Sequence, residues 1–170
     1  MGGVVHPMNV ASSSADERFA AALAKRSLPY PDPSVPKGLY RPVVIVGSWA
    51  ITSGHLSAEP DGRIVRGCLG EDMDEEAGKR AAMLAGVNLL ANLRAAIGSL
   101  DRVKRVLKLT GWIRSVPDFT AHPQVLNGCS ELLAEVFGAE LGVGARAAVG
   151  TAALPLGAAV EVEGIFEMGS

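Results

Sequence analysis

The spacing of apolar positions changes several times along the chain, and each change marks a different element. Phe19, Ala20, Leu23 and Ala24 recur at helical spacing behind Ser14 or Asp16 as a cap, which predicts a first helix ending near Ser27. Pro29, Pro31, Pro33 and Pro36 then remove backbone donors too often for regular structure, so residues 28–37 read as an extended arm. Val43–Val46 and Trp49–Thr52 are β-rich runs separated by Gly47-Ser48, the length of a tight hairpin turn. Asp61-Gly62 is a second turn signal, before a short strand over 63–67.

Asp72 with Glu75 makes a capping-box-like start, and the chain from Asp74 to Ile97 contains no proline. Met83, Gly86, Leu90, Leu93, Ile97 and Leu100 recur at three- and four-residue steps, predicting a long helix with one apolar stripe and Gly98 as its stop. A strand follows over 103–113, then a turn at Val116-Pro117-Asp118 whose aspartate would cap a second long helix over 119–137. After a loop over 138–144, strands over 145–153 and 158–166 flank Leu154-Pro155-Leu156-Gly157, which predicts a terminal hairpin. This order describes an α+β domain with helices packed on one face of a sheet.

A chain of 170 residues fits one domain, and 48% apolar residues with only 5% aromatics require a core of Ala, Val, Leu and Ile. Residues 1–14 carry no periodic pattern and read as disordered or as an artificial appendage. Residues 15–168 form the domain, 15–39 being the first helix and proline arm and 40–168 the core. The formal charge of -2 offers no footprint for a polyanion, so no nucleic-acid partner is expected. The cluster of Arg102, Lys104, Arg105 and Lys108 reads as the solvated face of a strand.

Cys68 and Cys129 stand apart, and His6, His55 and His122 are scattered without ligand spacing, so neither a disulfide nor a metal site nor a cofactor is expected. With no signal-like start and no run of about 18 apolar residues, the expectation is a soluble cytoplasmic protein without membrane contact.

Among residues that carry chemistry, Arg146 interrupts Ala145, Ala147, Ala148 and Val149. In such company an arginine either snorkels to solvent or offers its planar fork to a carboxylate. Glu161 and Glu163 alternate with Val160, Val162 and Ile165, the pattern of a strand with one solvated face. Asn127 and Ser130 fall inside the second long helix, where Asn127-Gly128 is a poor helix former that serves packing or ligand contact. Cys129 reads as a small buried hydrophobe.

From Tyr40 onward the chain resembles the reactive intermediate deaminase family, the RidA or YjgF-like proteins also known as endoribonuclease L-PSP or translation inhibitors. The likeness rests on Leu39-Tyr40, on Ile51-Thr52-Ser53-Gly54-His55, and on the strand from Val106 that leads to Pro117-Asp118-Phe119. It continues in Gly144-Ala145-Arg146, Leu154-Pro155 and Val160-Glu161-Val162-Glu163. The N-terminal helix, the proline arm, the segment Asn127-Gly128-Cys129-Ser130 and the longer loop before Arg146 resemble a distinct subgroup.

The resemblance implies a chorismate-mutase-like fold of the bacillus type: a mixed sheet with two main helices on one face, plus the N-terminal helix, assembled as a homotrimer with ligand clefts between subunits. It implies hydrolytic deamination of small reactive enamine and imine acids to 2-oxo acids and ammonia. Arg146 would hold the substrate carboxylate, and Glu161 would be the catalytic group that places a water or relays a proton. Tyr40, Ser53 and His55 would line the cleft, with Asn127 as a further ligand contact, and Ala148 stands where some relatives carry a cysteine. Two alternatives stay open: a non-catalytic binder of small carboxylates such as 2-oxo acids, and an RNA-cleaving or translation-inhibiting protein. A terminal hairpin would set Gly150 opposite Glu161 and leave Arg146 on the same face, roughly 13 Å along the strand.

Overall fold

The structure, a computed structural model, describes residues 13–36 and 38–169. The expectation of disorder for the N-terminus falls mostly outside this range, but Ser14 is ordered. It caps α1 (Ala15–Lys25) in a capping box with Glu17, each side chain bonding the other's backbone N–H. Phe19 on α1 stacks edge-on against Tyr30 of the arm, with centroids 5.4 Å apart. The arm has no regular structure, as its prolines require.

The hairpin β1 (Val43–Val46) and β2 (Trp49–Thr52) forms as read, with Val43 paired to Thr52 and Val46 to Trp49. The strand expected over 63–67 is absent. Only isolated bridges join Ile64 to Ala58 and Arg66 to Ala158, while the short β3 (His55–Leu56) pairs instead with the last strand. α2 (Glu75–Ile97) is capped by Asp74 rather than Asp72, whose carboxylate accepts the Cys68 N–H, and it stops at Gly98 with φ 87°. α2 buries more than one stripe, because the arm covers its outer side: Ser34 hydrogen-bonds the buried Asn92.

β4 (Val103–Arg114) matches its expectation, but α3 (His122–Phe137) starts three residues late. Asp118 does not cap it; Ala121 occupies the N-cap without a side-chain bond, and Pro123 sits in the first turn, where its missing N–H costs nothing.

The terminal hairpin is corrected outright. β5 (Ala145–Thr151) pairs parallel with β4, and β6 (Val160–Met168) pairs antiparallel with β4's other edge and with β2. The sheet order is β1-β2-β6-β4-β5, so the sheet is mixed and β4–α3–β5 is a parallel crossover. The link over 152–159 passes the end of β4: Ser115 N–H bonds the Thr151 carbonyl and Arg114 N–H bonds the Ala159 carbonyl.

α2 and α3 cover one sheet face, burying Val106, Leu109, Ile113, Val162 and Phe166 against Leu90, Leu93, Leu126 and Leu133. Each such side chain contributes roughly 1.5–3 kcal/mol over leaving it exposed. The other face bears Val44, Val46, Trp49, Ile51 and Val149 in the open. No helix among the described residues is long and apolar enough to cross a membrane.

Candidate functional site

Arg146 lies on the edge strand β5 and pairs with Leu109, whose side chain is buried beneath the helices. Paired residues share a face, so the Arg146 side chain rises on the helix side of the sheet, against α3. Its Nη1 donates to Asn127 Oδ1 at 2.8 Å and to Ser130 Oγ at 3.1 Å, and its Nη2 to the Pro123 carbonyl at 3.3 Å. Asn127 and Ser130 meet the guanidinium together because residues three apart share a helix face.

A guanidinium has five N–H donors. Nη1 and Nη2 both donate to α3, while Nε donates to no group among the described residues; a ligand carboxylate would take the Nε–H together with the Nη2–H parallel to it. That pair matches the two oxygens of a carboxylate. No carboxylate of the described residues forms an ion pair with Arg146, and the residue is exposed.

Asn127-Gly128 is explained from both sides. Asn127 orients the arginine, and a Cβ at Gly128 would overlap the Lys79 carbonyl on α2, so glycine is what lets the two helices touch. Next to them Cys129 is wholly buried; desolvation pushes its thiol up to about 12, against the opposing pull of the Arg146 charge. It is inert at neutral pH.

Glu161 sits elsewhere. It pairs with Trp112 on β4 and Leu56 on β3, between the buried Val160 and Val162, so it projects from the open face. Trp112 lies three residues beyond Leu109, and β5 and β6 are two strand spacings apart. The Arg146 and Glu161 backbones are therefore about 14 Å apart as well as on opposite faces. This replaces the expectation that the two share a face. Burial raises the Glu161 pKa above the usual carboxylate range, and repulsion from Glu163 adds to it.

The Glu161 carboxylate lies over Gly54, where any Cβ would overlap it. Ser53, one residue earlier, donates its hydroxyl to the Arg41 carbonyl at 2.6 Å, and its N–H bonds the Pro42 carbonyl. Tyr40 is half exposed in the segment that enters β1. Ser53, Gly54 and Glu161 thus gather near one end of the sheet, with Tyr40 next in sequence to Arg41, while Arg146 and Asn127 form a second group on the other side.

His55 belongs to neither group. It pairs with Val162 and is buried on the helix side, with its Nδ1 unpartnered. Burial lowers its pKa to about 4, outweighing the Ser53 backbone, which favours the charged form as an acceptor for a ring N–H, so the ring is neutral at pH 7. A cleft-lining His55 does not fit this placement within one chain.

Sequence reasoning did not single out the Pro123 carbonyl as a partner of Arg146, nor the pairing of Ser115 Oγ with His122 Nε2 at 3.0 Å. Neither leaves a local signal, since both join positions in different elements. Among the described residues no three His, Cys, Asp or Glu side chains gather as a metal site would require.

The family model described as "YjgF/chorismate_mutase-like, putative endoribonuclease" matches residues 19–167. Protein TCP17 of Trypanosoma cruzi is 40% identical over 154 residues, 91% of this chain and 96% of its own length. The crystal structure of a "putative endoribonuclease" from Shewanella oneidensis is similar at TM-score 0.84 and 32% identity, covering 92% of this chain and 100% of that one. RidA from an Antarctic Psychrobacter gives TM-score 0.53 and 32% identity, over 82% of this chain and 96% of its own.

Proposed function

The chain belongs to the YjgF/chorismate-mutase-like family, and on that premise we propose that it hydrolyses small reactive enamine and imine acids in a cleft between subunits of a homotrimer. The observation that carries this reading is the Arg146 guanidinium, held by Asn127, Ser130 and Pro123 with the Nε of its Nε–Nη2 edge bonded to no group among the described residues. Such an edge binds a carboxylate bidentately and so orients the group attached to it.

In the reaction, water adds to the imine carbon, the C–N bond of the resulting carbinolamine breaks, and the 2-oxo acid and ammonia leave. Glu161 takes a proton from the attacking water as the imine nitrogen gains one, and then passes the carbinolamine hydroxyl proton to the departing nitrogen, so that both water protons leave on ammonia. A carboxyl whose pKa is raised stands closer to the operating pH than an ordinary one, which favours both transfers.

Because Arg146 and Glu161 lie on opposite faces of one sheet, the ligand takes them from different subunits. The open face supports that assembly. Val44, Val46, Trp49 and Ile51 expose apolar surface there, and such a patch is covered most simply by copies of the same chain.

The test generates imines from several amino acids with an amino-acid oxidase and follows their disappearance with and without the protein. We expect Arg146→Ala to abolish both clearance and 2-oxo acid binding. Arg146→Lys should restore little, since an ammonium lacks the bidentate fork. Glu161→Gln should keep binding and lose turnover; if both survive, the protein is a binder of small carboxylates only. The designation of the Shewanella relative brings in RNA cleavage as a second reading. The formal charge of -2 weighs against it, and RNA cleavage that persists in nuclease-free Arg146→Ala protein would restore it.

A further inference from the structure

Gly150 pairs with Ile113 as Arg146 pairs with Leu109, and both partners are buried beneath the helices. Arg146, Ala148 and Gly150 therefore share the helix side of β5, with only the Ala148 methyl between the arginine and the glycine on that side. Ser115, two residues beyond Ile113, turns to the same side.

A second polar group stands over this strand at Gly150. Ser115 Oγ and His122 Nε2 are 3.0 Å apart. A Cβ at Gly150 would come within 2.5 Å of the ring nitrogen and 3.0 Å of the hydroxyl, so glycine is what leaves room for the pair. Both residues are seated from behind. Ser115 N–H bonds the Thr151 carbonyl at 3.2 Å, and the His122 ring meets Phe119 edge-on with centroids 5.1 Å apart. Neither residue is fully buried.

α3 runs against β5 and brings the two polar groups together. His122 is its first residue, and the next, Pro123, accepts from Arg146 Nη2, whereas Asn127 and Ser130 further along take Nη1. The Nη2 side of the guanidinium therefore faces the start of α3, where the pair stands. Arg146 and Gly150 are four residues apart, roughly 13 Å along the strand. The arginine side chain and one small acid, with its hydrogen bonds, cover that span together.

A serine–histidine pair suits an imine and an oxo group alike. With the ring proton on Nε2 the imidazole donates to the serine, and the hydroxyl proton is left for an oxo oxygen. With the ring proton on Nδ1 the serine donates to Nε2, and its remaining lone pair accepts an imine N–H.

Resting on the reading of Arg146 as the carboxylate clamp, we infer that Ser115, seated by His122, is a second contact of the same ligand. It meets the imine or oxo group from the chain that supplies Arg146.

The experiment titrates the full-length protein by NMR with 2-oxobutanoate and with butanoate, which differ only in the oxo oxygen. The wild type should bind the oxo acid at least about tenfold tighter, the upper scale of one hydrogen bond. Ser115→Ala and His122→Ala, with unfolding curves as folding controls, should each lower that ratio about fivefold and leave butanoate affinity nearly unchanged. A pair that only shapes the start of α3 would weaken both acids alike. Equal losses for the two acids, a ratio unmoved in either variant, no oxo preference in the wild type, or no binding of either acid would each overturn the contact. Arg146→Ala separates this failure from that of the clamp. If it loses both acids while Ser115→Ala leaves the ratio unmoved, the clamp stands without this contact; if it keeps both acids, the clamp falls and this contact with it.

Discussion

Arg146 and Glu161 stand on opposite faces of one sheet, with β4 running between their strands. No small ligand bridges them within a single chain.

Mixed oligomers follow from this placement. If each site takes Arg146 from one subunit and Glu161 from its neighbour, inactive Arg146→Ala and Glu161→Gln chains refolded together at equal ratio should regain about a quarter of wild-type imine clearance, half of the sites having each intact partner independently. Sites built within one chain would regain nothing. Clearance assayed after co-refolding decides between the two.

Asn127 is predicted to act through the arginine. Its Oδ1 accepts from Nη1 at 2.8 Å on the side away from the Nε–Nη2 edge. Asn127→Ala should weaken 2-oxo acid binding about tenfold, the scale of one hydrogen bond to a charged group. Asn127→Asp should weaken it further, since the new carboxylate competes for the guanidinium. Calorimetry on both variants, with unfolding curves as controls, checks the order.

Acid sensitivity should come from His55. Its folded pKa is lowered to about 4 from an ordinary 6.5, so the unfolded chain binds the proton more readily. The stability its burial allows is fully present above pH 6.5 and is lost as pH falls toward 4, by about 3 kcal/mol across the window at 1.36 kcal/mol per unit. Urea midpoints at pH 7 and pH 4.5 should differ clearly in the wild type and much less in His55→Leu. Equal pH dependence in the two proteins would assign the loss to other groups.

Gly128→Ala should destabilise the helix pair. The added Cβ would overlap a backbone carbonyl at Lys79, which cannot rotate away as a side chain could. Overpacking of this kind costs typically 1–3 kcal/mol. The thermal unfolding midpoint measures it, and an unchanged midpoint would show that α2 and α3 separate at little cost.

Much was legible from local pattern. The capping of α1 by Ser14, the β1–β2 hairpin, the run of α2 to Gly98 and the extent of β4 all depend on residues a few positions apart. The spaced motifs around Ser53, Arg146 and Glu161 carried the family, which the match over 19–167 establishes. The mixed sheet with two helices on one face also came out as expected from the family likeness, whereas strand order and the facing of single residues, set by distant partners, did not. Leu154 to Gly157 looks like a hairpin turn, yet it joins two strands that flank a third, and no local signal distinguishes those cases. Period-2 alternation fixes which residues of a strand share a face, but only pairing across the sheet says which face that is. That choice set Arg146 against α3, turned Glu161 to the open face and buried His55, so the chemistry of the site was written in the chain while its division between faces was decided by the sheet.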